Sequence, residues 1–108
     1  MALYMAPISS LEQMKHATPE QKQEKMDMWK VWGEAYKGAI VDRGALLGRT
    51  KSASPTYVVD TKNEVCGYTI VQADSHDAAA KIFEGHPHFS MQGATIDVLE
   101  CVDMSDEK

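Results

Sequence analysis

Apolar positions recur along this chain with two periods, and each change of period marks an element. Residues 2–5 are short and apolar and are followed by Pro7, which predicts a first strand cut off by a turn. Residues 9–15 have the form of a brief helix with Leu11 and Met14 facing inward. A stronger start signal follows. Thr18-Pro19-Glu20-Gln21 reads as an N-cap, a proline at the first helical position and a glutamine three residues after the cap. Met26, Trp29, Trp32, Tyr36 and Ile40 then recur at three- and four-residue spacing, with Lys22, Lys25, Glu34 and Lys37 at polar positions. The spacing predicts an amphipathic helix ending near Asp42 or Arg43, with Gly44 as its left-handed stop. Gly33 and Gly38 each weaken that helix by up to about 1 kcal/mol relative to alanine, and they leave room for a backbone or ligand to approach.

The second half changes to strand periodicity. Residues 45–50 read as a second strand, 51–55 as a polar turn, and 56–60 as a β-branched strand turned back by Thr61-Lys62-Asn63. Residues 65–73 (VCGYTIVQA) are apolar at both alternating sets of positions, as in a strand covered on both faces. Gly67 inside that run marks a bulge or a close approach. Asp74 or Ser75 caps a helix that carries Ala78, Ala79, Ile82 and Phe83 inward; Gly85 stops it and Pro87 prevents its resumption. Residues 94–102 form the last strand, and 103–108 a charged, acidic tail expected to fray.

The resulting order, β-α-β-hairpin arm-β-α-β, predicts an α+β domain of ferredoxin-like type. Both helices would lie on one face of an antiparallel sheet. The other face would expose apolar residues of the central strands, so the pattern predicts a homodimer that closes two sheets face to face.

With 108 residues, the chain has room for one domain, spanning 1–108. Its net charge of −5 argues against a general nucleic-acid binder. No apolar run approaches the ~20 residues of a membrane span, and residues 1–10 lack the form of a secretory signal. Cys66 and Cys101 are isolated thiols in strand-like runs, without a CxxC pair or zinc-site spacing. These features predict a cytoplasmic protein without membrane or nucleic-acid partners.

Thr61-Lys62-Asn63-Glu64-Val65-Cys66-Gly67-Tyr68 in the C-terminal half is similar to the Thr-Lys-Glu-x-x-Gly-Tyr strand entry of the YCII-related family. Ala73-Asp74-Ser75-His76-Asp77-Ala78-Ala79 resembles its strand-to-helix turn, Gly85-His86-Pro87-His88-Phe89 its Cys/His-Pro-His segment, and Gly93-Ala94-Thr95-Ile96-Asp97-Val98 its glycine-led last strand. The resemblance covers residues 61–102 and implies a dimeric α/β barrel, related in shape to small monooxygenases and isomerases that hold ligands in a sheet–helix cleft. Two features depart from it. Tyr57-Val58-Val59-Asp60 stands where one subgroup has Asp-Gly-Pro-Phe, and residues 1–10 lack the histidine of a His–Asp pair near the start of other members.

His86 and His88 are the most suggestive chemical pair. In extended backbone a His-x-His puts both rings on one side, where they suit proton transfer or metal binding. Asp74, His76 and Asp77, the nearest further ligands, lie at the other end of a helix of about 10 residues or ~15 Å. The two ends cannot share one ion, so a third ligand would have to come from another element or the partner subunit; no metal and no cofactor is expected. The alternative for His86 and His88 is structural, with one ring satisfying helix-end carbonyls and the other bonded in a cleft wall. Asp74 is a candidate acid–base partner or simply a cap. Trp29, Trp32 and Tyr36 are either core or the lining of an apolar pocket. Arg49, beside Lys51, is a candidate anion contact or a solvated strand edge.

Two functions follow as expectations. One is a small-molecule-binding dimer with histidine-assisted acid–base chemistry at His86, His88 and Asp74, and with Trp29, Trp32, Tyr36 and Arg49 around the ligand. The other is a non-catalytic interaction or accessory module whose motifs serve folding and dimerisation.

Overall fold

The computed structural model describes residues 1–102; the tail predicted at 103–108 lies outside the described residues. The chain runs β1 (Ala2–Met5), α1 (Ile8–Met14), α2 (Pro19–Ala35), β2 (Ile40–Asp42), β3 (Thr50–Ala53), β4 (Val58–Thr61), β5 (Val65–Val71), α3 (His76–Lys81), a 3-10 helix (Pro87–Ser90) and β6 (Thr95–Val98). It is a mixed α+β fold. Four strands form an antiparallel sheet in the order β2-β5-β1-β6, and β3 pairs with β4 in a separate two-stranded ladder. The four-stranded sheet is open, with β2 and β6 as its edges, and no barrel closes among the described residues.

Pairing register decides which residues share a face. Tyr4 stands opposite Gly67 and Ile96, and Ala2 opposite Thr69 and Val98. This face receives the helices. Ala2, Tyr4, Trp32 and Phe83 form the buried cluster, with Trp29 and Ile40 packed against it. Leu3 stands opposite Tyr68 on the other face, where Leu3, Met5, Tyr68 and Ile70 are only half-buried. Between Tyr4 and Met5 the register slips by one residue of β5, which leaves Cys66 as a bulge. Gly67 also permits a close approach, because a Cβ there would sit 3.2 Å from the Ala45 carbonyl oxygen.

The start of α2 follows its sequence signal: Thr18 Oγ1 accepts from the Gln21 backbone, and the Gln21 side chain accepts from the Thr18 N–H. Its end does not. The helix stops at Ala35, about two turns before the expected 42 or 43, and Ile40–Asp42 pairs with β5 instead. The Tyr36-to-Ile40 spacing fits a helix, but Gly38 weakens one there, and the β-branched Ile40-Val41 pair is better placed on a sheet. Gly44 has φ +75° as expected of a left-handed position, but it follows a strand rather than a helix. Its N–H is taken by Asp42 Oδ1 at 2.8 Å, and its bare α-carbon lies against Tyr68, where a Cβ would meet the carbonyl oxygen at 1.8 Å.

The strand expected at 45–50 shrinks to one bridge between Leu46 and Gly67. The polar run expected to turn at 51–55 is largely strand β3, and the turn moves to Ser54–Tyr57, closed by the Ser54 N–H on the Tyr57 carbonyl at 2.8 Å. Lys51 and Asp60 pair at 2.6 Å across the ladder, which is how a polar segment supports strand pairing. Ser75, not Asp74, caps α3, and Pro87 opens the 3-10 helix rather than only ending its predecessor. The last strand keeps only Thr95–Val98 of the expected 94–102.

The β3–β4 ladder stands apart from the main sheet and leaves Tyr57, Val58 and Val59 exposed. The radius of gyration, 15.7 Å, accordingly exceeds the ~13 Å expected of a compact chain this long.

Candidate functional site

The histidine turn is built by its proline. A residue before proline is driven out of helical backbone, and His86 is extended at φ −61°, ψ 143°. Pro87 then occupies the first position of the 3-10 helix, where its missing N–H leaves no bond unmade. His86 becomes the cap of that helix, its Nδ1 accepting the His88 backbone N–H at 2.9 Å. His88 points its Nε2–H at the Met5 carbonyl oxygen, also at 2.9 Å, and so ties the turn to β1.

These bonds fix the protons. With Nδ1 an acceptor, neutral His86 carries its proton on Nε2, which faces Tyr4 Oη at 3.4 Å. Tyr4 Oη lies 2.7 Å from Thr69 Oγ1, and Thr69 donates to the Arg43 carbonyl at 3.2 Å. A carbonyl can only accept, so the Thr69 proton is committed and Tyr4 must donate to Thr69. The chain therefore runs in one direction, from His86 through Tyr4 and Thr69 to the β2–β3 connection. Both His86 and Thr69 are 2% exposed.

Aromatic rings close around His86. Trp29 and Trp32 place ring centroids 4.5 and 4.4 Å from the imidazole, and Tyr4 stands at 5.1 Å. Trp32 also stacks on Phe83 and donates its indole N–H to the Ile82 carbonyl at 3.3 Å, which locks α2 to α3. Burial in this apolar shell, with neighbouring His88 adding to it, lowers the His86 pKa to about 4. Burial likewise pushes the Tyr4 phenol up to about 12, against the opposing effect of its bond to Thr69. Near neutral pH both groups are uncharged. The arrangement can hand on hydrogen-bond polarity; it does not store a proton at His86.

In front of this wall lies a cleft between α2 and the β2–β5 side of the sheet. It contains two hollows, of about 140 and 200 Å³, that share Trp29 and Arg43 as walls. The first is bounded further by Trp32, Gly33, Ile40 and Thr69, the second by Tyr4, Leu46 and Gly67. Tyr4 and Thr69 thus connect the cleft with His86, which does not itself line either hollow.

The structure gathers some of the predicted residues and separates others. His86 and His88 converge on Tyr4, and Trp29 and Trp32 line the cleft. Tyr36 packs on Trp32 at 5.6 Å but lines neither hollow. Asp74 is exposed in the turn before α3 and bonds to neither histidine. Arg49 is exposed before β3 and outside the cleft. His76, at the head of α3, donates from Nε2 to the Val98 carbonyl at 2.7 Å and so ties that helix to β6.

Sequence reasoning missed Tyr4, Thr69, Arg43 and Lys30. Tyr4 and Thr69 had a usable signal, since each alternates with a small residue, Ala2 and Gly67, on what becomes the helix-covered face. Arg43 had none while its segment read as the end of a helix.

Among the described residues no three His, Cys, Asp or Glu side chains converge as a metal site requires. Cys66 donates to the Tyr4 carbonyl at 3.2 Å, and burial raises its thiol pKa, which leaves it a poor nucleophile. No helix among the described residues is long and apolar enough to cross a membrane. No family model matches the chain, and no significant match is found among curated proteins or solved structures.

Proposed function

We propose that this protein binds a small molecule in the α2–sheet cleft, as a homodimer of the YCII-related type. The observation that carries the reading is the pair of hollows meeting at Trp29 and Arg43, with Thr69 and Tyr4 as the polar floor. An apolar cavity with few polar groups converging on it is the usual form of a ligand site. Each hollow alone falls below the ~300 Å³ of a pocket for a drug-sized ligand, so a ligand seated in one of them is small. Any acid–base assistance from His86 passes through Tyr4 as a neutral relay. The strand order β2-β5-β1-β6 supports the ferredoxin-like reading of the fold, and the half-buried Leu3, Met5, Tyr68 and Ile70 support a partner sheet on the far face.

The test is a thermal-shift screen with single-ring and short aliphatic compounds, after the mass in solution is measured against the 12.0 kDa chain. A ligand at 100 times its dissociation constant adds about 2.7 kcal/mol, a visible rise in melting temperature. The reading requires a dimer and a hit that Trp29→Leu abolishes. A monomer removes the dimer, and a screen without hits removes the binding site.

A second reading, an interaction module without a ligand, is favoured by one observation. His86 Nδ1 and His88 Nε2 are both taken by main-chain groups, so the His-Pro-His segment is already accounted for by folding. A dimer without any hit leaves this reading standing.

A further inference from the structure

Charge around the cleft is not representative of the chain. Acidic residues outnumber basic ones 16 to 11 overall, yet among the described residues the side chains lining the two hollows include Lys30 and Arg43 and no Asp or Glu. Among the described residues, Arg43 is the one cation common to both hollows. Its guanidinium lies across α2 at Gly33, where a Cβ would stand 3.3 Å from Nη1, so the missing side chain lets the fork lie against the helix beside the cavity. Its acidic partner, Glu34, is 3.7 Å away in a pair exposed at both ends, a weak contact that leaves most of the guanidinium donors free for another anion.

Size narrows the ligand further. A closed cavity of about 150 Å³ holds one benzene ring; the first hollow, about 140 Å³ and open to solvent, has room to seat one ring without enclosing it. Its Trp29, Trp32 and Ile40 walls suit a flat apolar body. The rim cation suits a carboxylate, which a guanidinium grips through two parallel N–H···O bonds.

From these facts we infer that the cleft selects small single-ring carboxylates, with Arg43 holding the carboxylate, Lys30 adding charge at the rim, and the Trp29–Trp32 wall holding the ring. The inference rests on the proposed binding cleft and adds the chemical class of its occupant. It also moves anion recognition from Arg49, outside the cleft, to Arg43.

The experiment titrates benzoate and phenylacetate, each beside its uncharged amide, into the wild-type chain and into Arg43→Gln and Lys30→Gln, with binding read by calorimetry. The acids are expected to bind about tenfold or more tightly than the amides, a margin that shrinks as salt is raised. Arg43→Gln should remove most of that margin by weakening the acids far more than the amides; Lys30→Gln should remove less. Acids and amides binding equally, or an Arg43→Gln chain that keeps the preference, would overturn carboxylate selection and leave the cleft as a neutral binding site. If neither acids nor amides bind, selection of single-ring carboxylates is refuted, and the thermal-shift screen decides separately whether the cleft binds a small molecule at all.

Discussion

His86 accepts the backbone N–H of His88 across Pro87, and this single 2.9 Å bond decides the state of the buried chain that leads to Tyr4 and Thr69. Protonating His86 puts a hydrogen on Nδ1, where the His88 N–H already points. The charged ring therefore loses its capping bond and also sits without water in an aromatic shell.

Stability should consequently fall in acid through this residue. Unfolded His86 titrates near 6.5 and folded His86 near 4, so between those values the unfolded chain binds the extra proton. The contribution is complete above pH 6.5 and is lost as pH falls towards 4, with a slope of about 1.4 kcal/mol per pH unit inside the window. Urea melts from pH 7 down to pH 4, on the wild type and on His86→Gln, measure it. The variant should be flatter across this range; equal slopes would show that His86 titrates normally in the folded chain.

The Tyr4–Thr69 bond predicts non-additive losses. Thr69→Val leaves a buried phenol proton without an acceptor, and Tyr4→Phe leaves the His86 Nε2–H without its partner. Each should cost about 1–3 kcal/mol. The double variant should cost less than their sum by about 1 kcal/mol, because the second change removes a group that the first had already stranded. A double-mutant cycle by chemical denaturation decides it, and strict additivity would mean that the two hydroxyls do not interact.

Two glycines with nearly the same backbone should respond differently to alanine. Gly44 (φ +75°) would place a Cβ 1.8 Å from the Tyr68 carbonyl oxygen, whereas Gly85 (φ +70°) would meet nothing within 4 Å. Gly85→Ala should cost only left-handed strain, about 1–2 kcal/mol. Gly44→Ala must also push β5 away and should cost about 3 kcal/mol or more. Equal midpoint shifts would place the Tyr68 carbonyl elsewhere in solution.

The β3–β4 arm has its own ladder but little to pack against, and a lone two-stranded hairpin is marginal in water. In a monomer its ladder amides should exchange with deuterium at least about 100-fold faster than those linking β1 and β5. Protection equal to the main sheet would show that something covers the arm in solution.

Legibility in the sequence tracked how local the deciding interaction is. The Thr18–Gln21 cap is decided within a few residues and stands where the pattern put it; Gly85 takes its left-handed backbone as expected, but α3 ends four residues before it, at Lys81. The end of α2 depends on a distant strand. Ile40 satisfies helical spacing and β-propensity equally well, and its pairing with Val71 resolves the choice. His86 and His88 were visible as a pair, but their burial required knowing that Tyr4, Trp29 and Trp32 come together across β1 and α2. Arg43 stayed hidden for the same reason: its place at the cleft follows from the early end of α2.

The ring packing around His86 also gives the protein an optical reporter. The chain contains two tryptophans, and both lie within 4.5 Å, centroid to centroid, of this one imidazole. A protonated imidazole quenches indole emission by accepting an electron from the excited ring, and neutral imidazole does so far less. Intrinsic fluorescence should therefore dim as His86 gains its proton. The emission that follows the titration comes from the same two indoles that wall the cleft.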